Sequence, residues 1–174
     1  MNEKESEFLK WQLEYIMEQI KMSDNKANFL LVIHLALLGS TISQLPQIFR
    51  VFSNIHICCK LVLAFVVFFF LYGMARFFIT FVYTVKPRIN PREILGDDNY
   101  KSFIFWGDLA KIKVDDYKNI KLENIYEDLE KQIIINARIA KIKFDNVEKA
   151  YSILFFPTLT TFIILMILII LMRG

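Results

Sequence analysis

Apolar and polar positions alternate between two regimes along this chain. Ala27 to Leu45 runs 19 residues without a formal charge. At about 1.5 Å per residue such a helix covers most of a hydrocarbon core of about 30 Å. Pro46 marks its end. A second apolar run extends from Cys58 to Tyr83, through LVLAFVVFFFLYGMA between Lys60 and Arg76 and then FFITFVY. The third, Tyr151 to Met172, has 22 uncharged residues. All three predict helices, because a helix satisfies its own backbone in lipid and no alternating strand pattern of the kind a barrel needs recurs.

Between and before these runs the periodicity is amphipathic. Phe8, Leu9, Leu13, Ile16, Met17 and Ile20 recur at three- and four-residue spacing within residues 3–24, with Trp11 and Tyr15 beside them. This predicts a helix that packs on a partner or lies on headgroups. Ser23-Asp24-Asn25 is a capping cluster that offers a place for it to break and restart. The prolines of Lys86-Pro87-Arg88 and Asn90-Pro91-Arg92 exclude regular helix, and Gly96-Asp97-Asp98-Asn99 follows as a turn. The stretch from Ser102 to Lys113 contains FIFWGDLAKI, whose aromatics anchor it to the bilayer surface or to the helix above. From Leu122 onward Tyr126, Leu129, Ile133, Asn136, Ala140, Lys143 or Phe144, Val147 and Tyr151 form a heptad-like seam, interrupted by polar residues at Asn136 and Lys143. No Pro or Gly intervenes between Lys111 and Phe156, so the seam is expected to continue as one helix into the third span. A rotation or shift in the soluble part would then be felt in the membrane.

The expected architecture is an all-α membrane protein of three transmembrane helices with an N-terminal amphipathic helix and a helical cytosolic segment. Its segments are 1–26, the span 27–45, a short outer turn at 46–57, the span 58–83, the cytosolic segment 84–150 and the span 151–172.

Composition agrees: 174 residues at 55% apolar content are too hydrophobic for a small soluble domain or a disordered tail. Two adjacent cysteines make no extracellular disulfide scaffold, and a net charge of +3 is too small to argue for nucleic acid. The first 26 residues hold six acids against four bases, unlike the short basic start of a cleaved signal peptide. Charge also orients the chain. Residues 86–150 carry thirteen Lys or Arg, whereas Pro46 to His56 carries only Arg50 and the C-terminus only Arg173. The N-terminus and the middle segment are therefore expected in the cytoplasm.

Candidate chemistry is sparse. His34 and His56 read as satisfied or interfacial histidines, since no acid occurs in any span to serve as a proton or metal partner. Cys58 and Cys59 lie on different helix faces, unsuited to pairing with each other or to a zinc pair. No nucleophile elbow, glycine-rich phosphate loop or HExxH is present, so neither an enzyme nor a metal or cofactor site is expected. Arg76, 16 residues after Lys60 and about 24 Å along the axis, either snorkels into headgroups or serves as a buried pore or partner charge. Ala36, Gly39, Ser40 and Ser43 give small-xxx-small pairs that permit close helix contact, within the bundle or between protomers of a homo-oligomer.

One cluster has the makings of a ligand site. Asp24 and Lys26, Arg88, Asn90 and Arg92, and Phe105, Trp106 and Asp108 all fall at the cytosolic membrane face. Basic groups meet a phosphate, a flat aromatic stacks on a base, and Asn or Asp reads its edge. The alternative is that the bases touch anionic lipid and Trp106 belongs to an interfacial belt.

The order DNKANFLL at residues 24–31, proline turns rich in Arg after the second span, then Phe105-Trp106-Gly107 resembles the transmembrane effector family of the Pycsar antiphage system. That family shows a D-x-K-A-x-x-L-L start and an F-F-G motif, here with Trp in the middle place. Gln132, Asn136 and Lys141 to Lys143 resemble its later Gln- or Asn-bearing helix. The resemblance implies a multi-pass protein of the bacterial inner membrane. A partner nucleotide cyclase would make cyclic CMP or cyclic UMP on infection, and the effector would respond by impairing membrane integrity, an abortive infection. The residues it carries over are Asp24, Lys26 and Ala27, then Phe105, Trp106 and Gly107. A competing reading is a non-signalling membrane scaffold or accessory subunit that binds a protein partner through its cytosolic helices. A small channel or ion carrier is weakened by the absence of acids within the spans.

Overall fold

A computed structural model describes residues 3–87, 89–97 and 100–171, with only the backbone of 106 and 116. Among these residues every regular element is helical. Helix α1 is Glu3–Ser43, α2 Leu45–Asn54, α3 Ile57–Val85, α4 Pro91–Leu95, α5 Trp106–Leu109 and α6 Val114–Lys118. Helix α7, Leu122–Ile153, passes through a π-helical segment, Leu154–Leu159, into α8, Thr160–Leu171. Together these last three make one continuous helix of 50 residues, Leu122–Leu171, as the unbroken seam predicts.

The chain divides into two compact units. One, the loop-rich unit, comprises Met1–Ser23 and Pro87–Lys143, the other Asp24–Lys86 and Phe144–Gly174. The second, the span unit, contains the apolar runs of three helices long and apolar enough to cross a membrane. Within each run only 22% of the most apolar 18-residue window is buried in the protein. Much of the rest, including Phe65, Phe68 and Ile170, is exposed apolar surface that water would not tolerate and lipid would. The protein is a membrane protein.

The span unit packs in two clusters. Ala27, Leu30, Phe77, Val147, Ala150 and Leu154 form one. Ile48, Val51, Leu63, Leu165 and Ile169 form the other. Between them Gly73 lets α3 approach the π segment so closely that a Cβ there would stand 2.6 Å from Thr158 Oγ1. Pro157 is the local cause of the π segment, since it lacks a backbone donor and its ring crowds the preceding turn. Threonine hydroxyls serve the displaced carbonyls: Thr158 Oγ1 donates to the Ile153 oxygen at 3.0 Å and Thr161 Oγ1 to that of Pro157 at 2.5 Å.

Four expectations need correction. Helix α1 runs unbroken through Ser23-Asp24-Asn25, and Ser23 is fully buried, so its small size serves packing rather than a cap. The segment 46–57 is mostly α2 rather than a turn. Pro46 stands in its first turn, where no backbone donor is needed, and Ile48 and Val51 bury its inner face. Asn90-Pro91 likewise begins helix α4: the Asn90 side chain accepts from the Arg92 N–H at 3.2 Å, and Gly96 at φ 65° ends the turn. His34 is not a well-satisfied histidine. It is fully buried, stacked on Phe77 at 4.0 Å, and neither ring nitrogen makes a hydrogen bond of good geometry.

Candidate functional site

In the loop-rich unit, the segment from Tyr100 to Phe105 is folded onto α7 by one carboxylate. Asp128 accepts from Tyr100 Oη at 2.5 Å, Ser102 Oγ at 2.8 Å, the Phe103 N–H at 2.7 Å and the Ile104 N–H at 3.0 Å. Four donors on a side chain only 3% exposed make this burial affordable, since a buried carboxylate without them would be strongly disfavoured. Ser102 continues the network. Its Oγ accepts from the Ile104 and Phe105 N–H groups, at 3.1 and 2.8 Å, which turns the backbone into α5. Gln132 sits one turn beyond Asp128 on α7, and its Nε2 donates to both Tyr100 Oη and Ser102 Oγ at 3.0 Å. Another turn on, Asn136 Nδ2 donates to the Gln132 backbone oxygen at 2.8 Å. Burial, and after it the hydrogen bond to Asp128, pushes the Tyr100 phenol from 10.0 up to about 12.

Beside this network lies a cavity of about 360 Å³. Its polar wall is Tyr100, Ser102, Gln132 and Asn136, its apolar wall includes Ile135 and Ile139, and Asn90, Arg92, Phe105 and Asp108 complete it. Arg92 is the one cation among the described residues that line it. Asp108 Oδ2 accepts from the Ser102 N–H at 3.1 Å, which ties α5 to the loop. Phe105 is positioned by Gly107, where a Cβ would come within 2.7 Å of the ring. A phenylalanine followed two residues later by glycine therefore has a packing reason at this site.

Of the residues expected at a ligand site, the structure brings together Asn90, Arg92, Phe105 and Asp108. Arg88 lies outside the described residues, as does the side chain of Trp106. Asp24 and Lys26 belong to the span unit, where the Lys26 ammonium stands 5.1 Å from the Phe144 ring. Ala36, Gly39, Ser40 and Ser43 are all exposed, and a Cβ at Gly39 would meet nothing within 4 Å. Among the described residues no group of three or more His, Cys, Asp or Glu is placed to hold a metal ion.

Sequence reasoning missed Tyr100, Ser102 and Asp128 and used Gln132 and Asn136 only as seam and family features. Their signal was present. Asp128, Gln132 and Asn136 recur every four residues, one helical stripe of polar groups that runs beside the apolar seam and meets it at Asn136. The PycTM family, described as the Pycsar effector protein domain, matches residues 8–172 of the 174. No curated protein matches, and no solved structure does. The chain belongs to the Pycsar effector family and is a membrane effector of that defence system.

Proposed function

We propose that the effector is switched by a cyclic pyrimidine nucleotide, cyclic CMP or cyclic UMP, bound in the loop-rich unit. It then impairs the bacterial inner membrane from an orientation with the N-terminus in the cytoplasm. Death of the infected cell before phage release follows, with a nucleotide cyclase as functional partner through its diffusible product. The cavity beside the Asp128 network carries this reading. Its volume lies near the lower end of small-molecule sites, about 300–1,000 Å³, a size suited to one small nucleotide. Arg92 offers a guanidinium to the single phosphodiester charge, Phe105 and the isoleucines offer flat apolar contact to the base, and the Gln132 and Asn136 amides face its polar edge. Both amides ride on the helix that continues into the third span, so a shift of α7 on binding reaches the membrane through unbroken backbone. Three helices form a poor pore, and the exposed Ala36, Gly39, Ser40 and Ser43 stripe supports self-association. The chain acts as an effector rather than as an enzyme.

The test is calorimetric titration of the full-length, detergent-purified protein with cyclic CMP, cyclic UMP, cyclic AMP and cyclic GMP, paired with dye uptake by cells that co-express an active cyclase. Binding of a pyrimidine cyclic nucleotide together with increased uptake is expected. Absence of binding to all four at millimolar ligand sinks direct sensing. Unchanged dye uptake removes the support for permeabilisation.

A scaffold or accessory role is favoured by a different observation. Phe8, Trp11 and Tyr15 form an exposed aromatic ladder on α1, with ring centroids 5.8 Å apart at each step. That reading predicts stable co-purification of a neighbouring protein and no toxicity when a cyclase is active.

A further inference from the structure

On the span unit, α3 and the segment of α7 from Phe144 to Ile153 enclose a crevice of about 530 Å³. Arg76, Thr80, Asp145, Glu148, Lys149 and Ser152 line it. The polarity is unexpected beside Phe77, which is one residue from Arg76 and fully buried against the apolar cluster. Thr80 Oγ1 is already spent on the Arg76 backbone oxygen at 3.0 Å. Among the described residues Arg76, Glu148 and Lys149 make no ion pair, although both signs of charge are present.

Below this crevice, toward the middle of the apolar run, α3 presents an exposed apolar stripe. Phe65, Phe69 and Tyr72 precede Arg76 at spacings of four, three and four residues, so all four lie along one face. The Phe65 and Phe69 rings are 4.5 Å apart, and the Arg76 guanidinium lies 6.0 Å from the Tyr72 ring. An acyl-chain track that leads up to a charged crevice has the polarity profile of one phospholipid molecule. A soluble phosphate would use the crevice and leave the stripe uncovered.

We propose that this crevice binds the headgroup of a phosphatidylethanolamine molecule whose acyl chain lies along Phe65, Phe69 and Tyr72. Arg76 and Lys149 take the phosphodiester, each as a charge-assisted donor. Glu148 decides between headgroups. A carboxylate beside the phosphate position repels a purely anionic lipid and attracts one that carries its own cation. A primary ammonium donates hydrogen bonds to that carboxylate, whereas the quaternary ammonium of choline has no hydrogen to donate. The site depends on neither the cyclic-nucleotide cavity nor any activation step.

The experiment is native mass spectrometry of the full-length protein in detergent, titrated separately with phosphatidylethanolamine, phosphatidylcholine and phosphatidylglycerol of identical acyl chains. The wild type is expected to retain phosphatidylethanolamine about tenfold more tightly than either of the others. Glu148→Gln should abolish the preference over choline, and Arg76→Gln should weaken all three lipids. Equal retention of the ethanolamine and choline lipids by the wild type, or tightest binding of the glycerol lipid, overturns the proposal. So does a preference unchanged in Glu148→Gln. The ranking of lipids by the wild type does not depend on whether either variant folds.

Discussion

In the loop-rich unit the buried polar side chains Asp128, Ser102 and Gln132 are joined in one hydrogen-bonded network, whereas the span unit buries chiefly apolar side chains such as Phe70, Phe77, Leu63 and Leu165, with His34, Thr84 and Thr158 set singly among them. The contrast follows from what each unit exchanges for solvent. Lipid offers apolar helices little reason to leave it, so the span unit is held by close fit, as at Gly73 against Thr158. Between Pro87 and Lys121 Tyr100 is the one large apolar side chain that the loop-rich unit buries among the described residues, and the chain there is fixed instead by donors converging on one acceptor. Substitution should therefore act by different mechanisms in the two units.

The largest effect is expected from Asp128→Ala. It strips the acceptor from Tyr100, Ser102 and two backbone N–H groups, at a cost of about 3 kcal/mol or more. Hydrogen exchange should show protection lost across residues 100–105 while the core of the span unit stays protected; equal loss in both would erase the distinction between them. Gly73→Leu is the counterpart in the span unit. Overpacking against Thr158 should cost about 1–3 kcal/mol, read as a lower melting temperature in detergent. An unchanged melting temperature would mean that close fit matters less there than argued.

Arg92→Gln should leave stability alone, because the side chain is exposed, yet weaken cyclic CMP or cyclic UMP binding about tenfold in calorimetry. Tyr100→Phe should cost about 1 kcal/mol and also change the response to pH. The phenol is held at about 12 in the folded unit against 10.0 in the unfolded chain, so the unfolded form loses its proton first. The stability that Tyr100 contributes is complete below pH 10 and declines as pH rises toward 12; the Phe variant should lack this component in parallel denaturation series. The smallest effect belongs to Lys131→Ala. Its ion pair with Glu127, 2.7 Å long but on the surface, should matter by less than about 0.5 kcal/mol.

Much of the fold was legible because it follows from period and length. The three apolar runs, the heptad-like seam and its continuity into the last span needed only counting. Misreadings arose where local chemistry had two uses. Ser23-Asp24-Asn25 carries capping residues, but a buried position selected Ser23 for size. Pro46 and Pro91 stop a preceding helix and also begin a new one, and only the Ile48 and Val51 contacts or the Asn90 cap distinguish those roles. At the candidate site Asn90, Arg92, Phe105 and Asp108 were found by residue type. Asp128 was not, because a carboxylate on a charged helix looks solvated until its donors are located.

By itself the sequence determined that this chain needs a bilayer, how many helices are long and apolar enough to cross it, and, through its motifs, which family it belongs to. These properties are carried by runs of residues and survive any arrangement of the helices. Tertiary structure alone decided that Tyr100 and Ser102 meet Asp128 and Gln132 across separations of 26 to 32 residues. It also decided that Arg76 shares a crevice with Glu148 and Lys149. Contacts between groups so far apart depend on how helices pack, and no local period encodes that.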